Sequence, residues 1–349
     1  MKSLKTWLKS PFTPRSPLPD HAKKLPYLLL SALSGTLELG VIVFGLLLGF
    51  PLTLTLALGF SYQFGSAVKD NIRLPSALCY ALLMLAAATV CVASNFPWLL
   101  LVVTALASVS LQTLRDQAFK EEVSTTLKRV ARILGFLIAP LLQSYFTLSV
   151  LMALIMILGI PVLVKGFCSW KISIMKLPDL TRIELTMLSH QMHYFSYCYL
   201  VPVLFFLMLP VQYIGVAFVL GWLSYTFTPL KQMRNDWAAV VSGHIVVVGA
   251  LVTILFSQTL GQLGLGWILS GLGGGTVVAL RHLGLYSGAS ERSMDLWEGY
   301  GHLAGAALSV ATVMITGAAK SALVLAMGFA SLTIVLTLST RIRAPVSQC

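Results

Sequence analysis

The chain is poor in charge. Asp, Glu, Lys and Arg make up only 10% of its 349 residues, while 57% are hydrophobic. A soluble globular domain carries about 25% charged residues. A soluble chain of this length has no means of hiding so much apolar surface, but a bilayer can act as its solvent. Acids are scarcer than bases, 12 against 24, and the net charge is +12. The bases lie in short segments between long apolar runs. Membrane topology therefore explains them, and no nucleic-acid partner is expected. Cysteines are few and scattered (Cys79, Cys91, Cys168, Cys198 and Cys349) with no CxxC pair. That excludes a disulfide framework and a thiolate zinc site. The sequence also lacks GxSxG, HExxH and a Walker phosphate loop. Neither enzyme chemistry nor nucleotide-driven transport is expected, and no cofactor is implied.

What the chain does have is apolar runs. A helix needs about 20 apolar residues to cross the hydrocarbon core. Runs of that kind occupy 26–50, 51–68, 75–94, 97–115, 130–146, 147–164, 186–208, 211–229, 238–257, 262–280, 299–317 and 321–340. The first is too long for a signal-peptide core of about 7–15 residues. The expected fold is an all-α membrane protein of about twelve transmembrane helices in two six-helix bundles. Segments 1–25 and 341–349 are the tails. The bundles are 26–164 and 186–340, and 165–185 is the linker. The pairs 26–68, 130–164 and 299–340 read as hairpins with short outer turns.

The basic residues set the orientation. With both termini in the cytoplasm and alternating spans, every Lys and Arg except Lys320 falls on the inner side. Positive residues are retained there during insertion. The expected location is the cell membrane. The linker, KGFCSWKISIMKLPDLTRIE, mixes bases with Trp170 and aliphatic residues, as an amphipathic segment on the inner leaflet would.

Three motifs carry a family resemblance. GSAVKDNIRLP (65–75) holds Gly65, Asp70 and Arg73 between spans two and three. SLQTLRDQAF places Arg115 at the end of span four, and GFLIAP places Gly135 and Pro140 in span five. With six plus six spans and a cytoplasmic middle loop, this pattern resembles the major facilitator superfamily. The acid of the first motif is displaced by one position, and its Gly-Arg ending is absent. The resemblance implies secondary transport of a small organic solute by alternating access. It implies a cytoplasmic gate at Asp70, Arg73 and Arg115, and it points towards export.

Candidate cavity residues follow. Glu38, in SGTLELGVIVFG, is the one acid deep within a span. Such an acid costs about 2.5–3.5 kcal/mol to insert and is retained by default for function. It suits proton coupling; a structural Glu hydrogen-bonded to a neighbouring helix is the alternative. Span seven, TMLSHQMHYFSYCYLVPVLFF, puts His190, Tyr194 and Tyr197 on one face, with His193 and Tyr197 one turn apart. The resemblance implies that spans one, four, seven and ten line the central cavity. Thr104, Ser108 and Gln112 share a face of span four, and they could equally hydrogen-bond between helices. His244 in span nine reads as a structural hydrogen-bonding residue. SGLGGG (270–275) in span ten allows close helix approach or a hinge. The stretch 281–298, with His282, Glu291, Arg292, Asp295 and Glu298, reads as an inner loop that forms a gate charge network, or as a solvated loop.

Met187, His190 and His193 form an alternative metal-ligand set, and soft ligands of this kind suit Cu(I). Span eight, VQYIGVAFVLGWLSYTFT, holds no His or Met, which counts against copper. The expected partners are a small-molecule substrate, protons and the lipid bilayer, with the chain acting as a monomer. Metal or metal-chelate transport is the second reading. A non-transport membrane enzyme or assembly factor is the third.

Overall fold

The computed structural model describes residues 20–118, 125–163, 173–174, 179–233 and 235–341. Helices account for nearly all of them: α1 Asp20–Leu47, α2 Leu52–Asn71, α3 Ser76–Ala93, α4 Pro97–Ala118, α5 Thr125–Ile138, α6 Tyr145–Leu163, α7 Arg182–Phe195, α8 Leu200–Phe206, α9 Ile214–Thr226, α10 Asp236–Leu255, α11 Leu260–Gly274, α12 Val277–Tyr286, α13 Glu291–Thr316 and α14 Ser321–Arg341. A two-residue antiparallel ladder pairs β1, Ile72–Arg73, with β2, Ser173–Ile174. It ties the segment after α2 to the linker.

Each apolar run coincides with one helix or with two in succession. Among the described residues, seven segments are long and apolar enough to cross a membrane: Lys24–Leu47, Ser76–Ala93, Pro97–Asp116, Asp236–Leu255, Leu260–Tyr286, Glu291–Thr316 and Ser321–Thr340. Shorter apolar helices lie at Tyr145–Leu158 and Val211–Thr226. The outward faces are apolar as well. Val324, Leu332, Val335 and Leu338 are all exposed along α14, as are Val252 and Phe256 at the end of α10. A contiguous apolar surface of this extent marks contact with lipid. The chain is a multi-pass membrane protein.

Local chemistry sets the helix ends. The three hairpins turn at residues with left-handed backbone: Gly49 (φ 71°), Gln143 (φ 57°) and Gly317 (φ 66°). Gly317 caps α13, and its N–H is donated to the Val313 carbonyl. Glycine supplies this geometry without a Cβ penalty. Lys320, the one base outside the charge pattern, donates from Nζ to the Leu255 carbonyl at 2.6 Å. It thereby satisfies an orphan carbonyl at the C-terminus of α10, where a cation is favoured. Capping boxes open α7 (Thr181 with Glu184) and α11 (Thr259 with Gln262).

The helices depart from the expected spans in three places. Span seven is not one helix: α7 ends at Phe195, a turn covers Ser196–Tyr199, and α8 resumes at Leu200. Span ten breaks between α11 and α12, where Gly275 and Thr276 donate to Gly271 and Gly273 carbonyls at 3.0 and 3.2 Å. The stretch 281–298 is mostly helical, because the Ser290 side chain accepts from the Ser293 N–H and starts α13. Most of the amphipathic linker, and the tails 1–19 and 342–349, lie outside the described residues.

Packing repeats along the chain. In the first half α1 packs on α5, α2 on α4, α3 on α4, and α3 on α6. In the second half α7 packs on α13, α9 on α11, α10 on α11, and α10 on α14. These are the same pairings shifted by six of the apolar runs, although the sequences before and after the linker share no recognisable identity. Two main contacts join the halves, α2 with α13 and α5 with α9.

Candidate functional site

The site begins with two glycines. A Cβ on Gly35 of α1 would collide with the Arg132 carbonyl oxygen of α5, and one on Gly135 of α5 would collide with the Ala32 carbonyl of α1. The Thr36 hydroxyl donates to the Gly135 carbonyl at 3.2 Å. Small residues let helix backbones approach this closely. One turn from each glycine stands a charge. Glu38 follows Gly35 by three residues, and Arg132 precedes Gly135 by three. The backbone contact therefore sets Glu38 against Arg132.

Glu38 is 2% exposed. Its Oε2 accepts from Arg132 Nε at 3.1 Å and also from Arg132 Nη2. Its Oε1 accepts from the Tyr199 hydroxyl at 3.2 Å and from Gln63 Nε2 at 3.4 Å. Gln63 also donates to the Tyr199 hydroxyl. The carboxylate thus holds a cation from α5, an amide from α2 and a phenol from the turn between α7 and α8. The Arg132 guanidinium lies 4.9 Å from the Trp222 ring centroid and 5.8 Å from that of Phe136. Such stacking favours a desolvated guanidinium.

This pair lies beside a cavity of about 560 Å³. Its walls come from α1, α2, α4 and α5 in one half, and from α7, α9, α12 and α13 in the other. Among the described residues, helices α3, α6, α8, α10, α11 and α14 contribute no lining residue. Tyr62, Gln63 and Tyr194 are buried in it. Its rim carries Asp116 and Asp295, whose side chains are half exposed, so it opens at that end. Five cations border it (Arg115, Lys128, Arg129, Arg132 and Arg281) against three acids, Asp116, Asp295 and Glu298. Arg129 stands 5.5 Å from the Tyr225 ring centroid. Arg281 of α12 pairs with Glu298 and, at 2.6 Å, with Asp295 of α13.

The candidates read from sequence separate by position. His190, Tyr194, Gln112 and Arg115 border the cavity. Ser108 is buried and donates to the Tyr62 carbonyl at 2.6 Å, while Gln112 donates to Ser108 at 3.1 Å. Thr104, His193 and Tyr197 are buried but do not border the cavity. Tyr197 packs edge-on to Trp267, with centroids 6.2 Å apart. Arg115 pairs with Asp116 at 3.6 Å. The side chains of Asp70 and Arg73 lie outside the described residues. Of the alternative metal set, His190 and His193 stand together with ring centroids 5.0 Å apart. Met187 instead accepts from Gln191 at 3.9 Å.

Four partners were missed in sequence: Arg132, Gln63, Tyr199 and Trp222. Arg132 sits in KRVARILGF, where it reads as the last base of a cytoplasmic loop. The structure corrects this, since it lies on α5 and faces Glu38. The signal that finds it is a rule of burial: a buried carboxylate needs a cation, and Arg132 is the base that stands furthest into an apolar run on this side.

No protein-family model matches this sequence, and no curated protein matches it. Solved structures do. The human organic anion transporter MFSD10 (TETRAN) aligns over 91% of this chain and 100% of its own, with 17% identity and a TM-score of 0.56. The nucleoside transporter NupG aligns over 92% and 98%, with 13% identity and a TM-score of 0.64. An autoinhibited peptide transporter of the POT family aligns over 93% and 97%, with 11% identity and a TM-score of 0.62. These are transporters of major facilitator type, and the chain has their helical membrane fold.

Proposed function

We propose that this chain is a proton-coupled secondary transporter of a small organic anion, working by alternating access. One observation carries the reading. The Glu38–Arg132 pair sits against a polar cavity that both halves of the chain line in equivalent ways. Twelve transmembrane helices in halves 26–164 and 186–340, with both termini cytoplasmic, account for the repeated packing and the charge distribution together. The cavity mouth then faces the cytoplasm. The excess of cations on its wall selects for negative charge. Tyr27, Tyr62, Tyr194 and Trp222 offer flat faces for an apolar body. The named anion transport of one structural neighbour is consistent with this choice.

The coupling step follows from the geometry. Protonating Glu38 removes the anion that holds Arg132. The guanidinium is then released to an anionic substrate in the cavity. Deprotonation recaptures it and weakens the substrate's hold. Tyr199 carries the same event to the second half, because it stands in the turn between α7 and α8 while its ring packs on Gly59 of α2 and its hydroxyl reaches Glu38 of α1.

The test is uptake of a panel of small organic anions into proteoliposomes. A proton gradient is expected to stimulate uptake by the native chain. Glu38→Gln is expected to abolish that stimulation while leaving exchange of substrate for substrate. An unchanged response to the gradient in the variant would remove Glu38 from coupling. Preference for organic cations would remove the substrate class.

A further inference from the structure

Away from Glu38, three histidines converge where none of the mechanism needs them. His190 and His193 project from α7 and His244 from α10. Their ring centroids are 5.0, 5.0 and 5.1 Å apart, a nearly equilateral triangle. One ring nitrogen from each lies within 4.8 Å of the other two. All three are buried, His193 and His244 completely.

Three imidazoles stacked only for packing would each find a hydrogen bond. His193 does not: neither of its ring nitrogens has a partner that meets hydrogen-bond geometry. A buried polar group left in this state is destabilising, because its lost hydration is not replaced. His244 is arranged in the opposite way. Its Nδ1 donates to the Val240 carbonyl at 2.7 Å, which fixes the tautomer and leaves Nε2 with a lone pair. That lone pair now accepts from His190 Nδ1 at 2.9 Å. An imidazole whose far nitrogen donates to a backbone carbonyl is the usual arrangement of a metal-bound histidine.

We propose that His190, His193 and His244 bind a divalent transition ion, with zinc the best fit. Imidazole nitrogens suit zinc at about 2.0–2.1 Å, which sets tetrahedral ligand atoms about 3.3 Å apart. The His190–His244 separation has to open by only about 0.4 Å. His190 moves its proton to the other ring nitrogen, His244 keeps its bond to Val240, and His193 gains the partner it lacks. The ion is resident rather than cargo, because His193 and His244 do not border the cavity. It clamps α7 to α10 directly before the chain breaks at Ser196–Tyr199. A cavity-lining helix is thereby fixed to a helix that lines nothing. The site differs from the set of Met187, His190 and His193, since Met187 is engaged by Gln191.

The probe is Co²⁺, added to the full chain purified in detergent after stripping with a chelator. The expected result is binding of about one Co²⁺ per chain, with the visible bands of a tetrahedral imidazole site. Zinc is expected to displace it and to raise the unfolding temperature. His193→Ala and, separately, His244→Gln are each expected to lose the bands and the zinc-induced rise. Absence of the bands in the native chain would overturn the proposal, whatever the variants do. Bands retained in both variants would overturn the ligand set. Loss of the ion to chelator within mixing time would overturn its resident role. A failure of Glu38→Gln to alter coupling leaves these readouts untouched, so the two readings fall separately.

Discussion

Arg132→Met is expected to cost the protein about 3–5 kcal/mol of stability and all of its coupled transport. The substitution keeps most of the apolar stem of the side chain and removes the guanidinium, with its charge and the two donors that bond Glu38. Glu38 is then left buried with two neutral donors, Gln63 and Tyr199. Breaking a buried ion pair in this way is far more damaging than removing both partners, because it strands a charge. The double variant Glu38→Met with Arg132→Met is therefore expected to recover most of the lost stability. It is not expected to recover any transport. Thermal unfolding of detergent-purified protein reads the first quantity and proteoliposome uptake the second. Equal stability of the single variant and the native chain would show that Glu38 carries no charge there, and the coupling scheme would lose its starting state.

The two members of that pair differed sharply in how far the sequence announced them. Glu38 stands alone in an apolar run, so hydropathy isolates it. Arg132 stands in a basic cluster with Lys128 and Arg129, and a base near a helix end normally anchors topology. Its position two residues into the run is a faint signal, and the approach of α1 to α5 shows that it turns inward. Tyr199 was hidden for another reason. Residues 196–199, SYCY, hold no glycine or proline; the local mark is Pro202, which has no N–H to offer the Cys198 carbonyl and stands three residues past the phenol that reaches Glu38. Span ten also breaks, but there SGLGGG advertised it. The histidine triad mixes the two cases. His190 and His193 were visible as a polar strip, whereas His244 seemed unrelated because 54 residues separate it from His190. Periodicity reports which residues share a face of one helix. It does not report which other helix that face meets.

The repeated packing makes a glycine the most sensitive small residue in the site. Gly135→Ala adds one methyl group, and that methyl would fall on the Ala32 carbonyl and against the Thr36 amide, both backbone and unable to swing aside. Helix α5 has to retreat from α1. Retreat lengthens the Glu38–Arg132 contact one turn away and breaks the Thr36 hydrogen bond. The expected cost is about 1–3 kcal/mol from overpacking, accompanied by loss of proton-stimulated uptake. The control is the same substitution elsewhere. Gly249 lies in α10 with open space around it and an exposed, lipid-facing position. Alanine there removes the helix penalty of glycine and is expected to gain about 0.5–1 kcal/mol. One methyl group is thus expected to act with opposite signs at two helical glycines. Unfolding temperatures that move together for both variants would refute the close contact of α1 with α5, and with it the placement of Glu38 against Arg132.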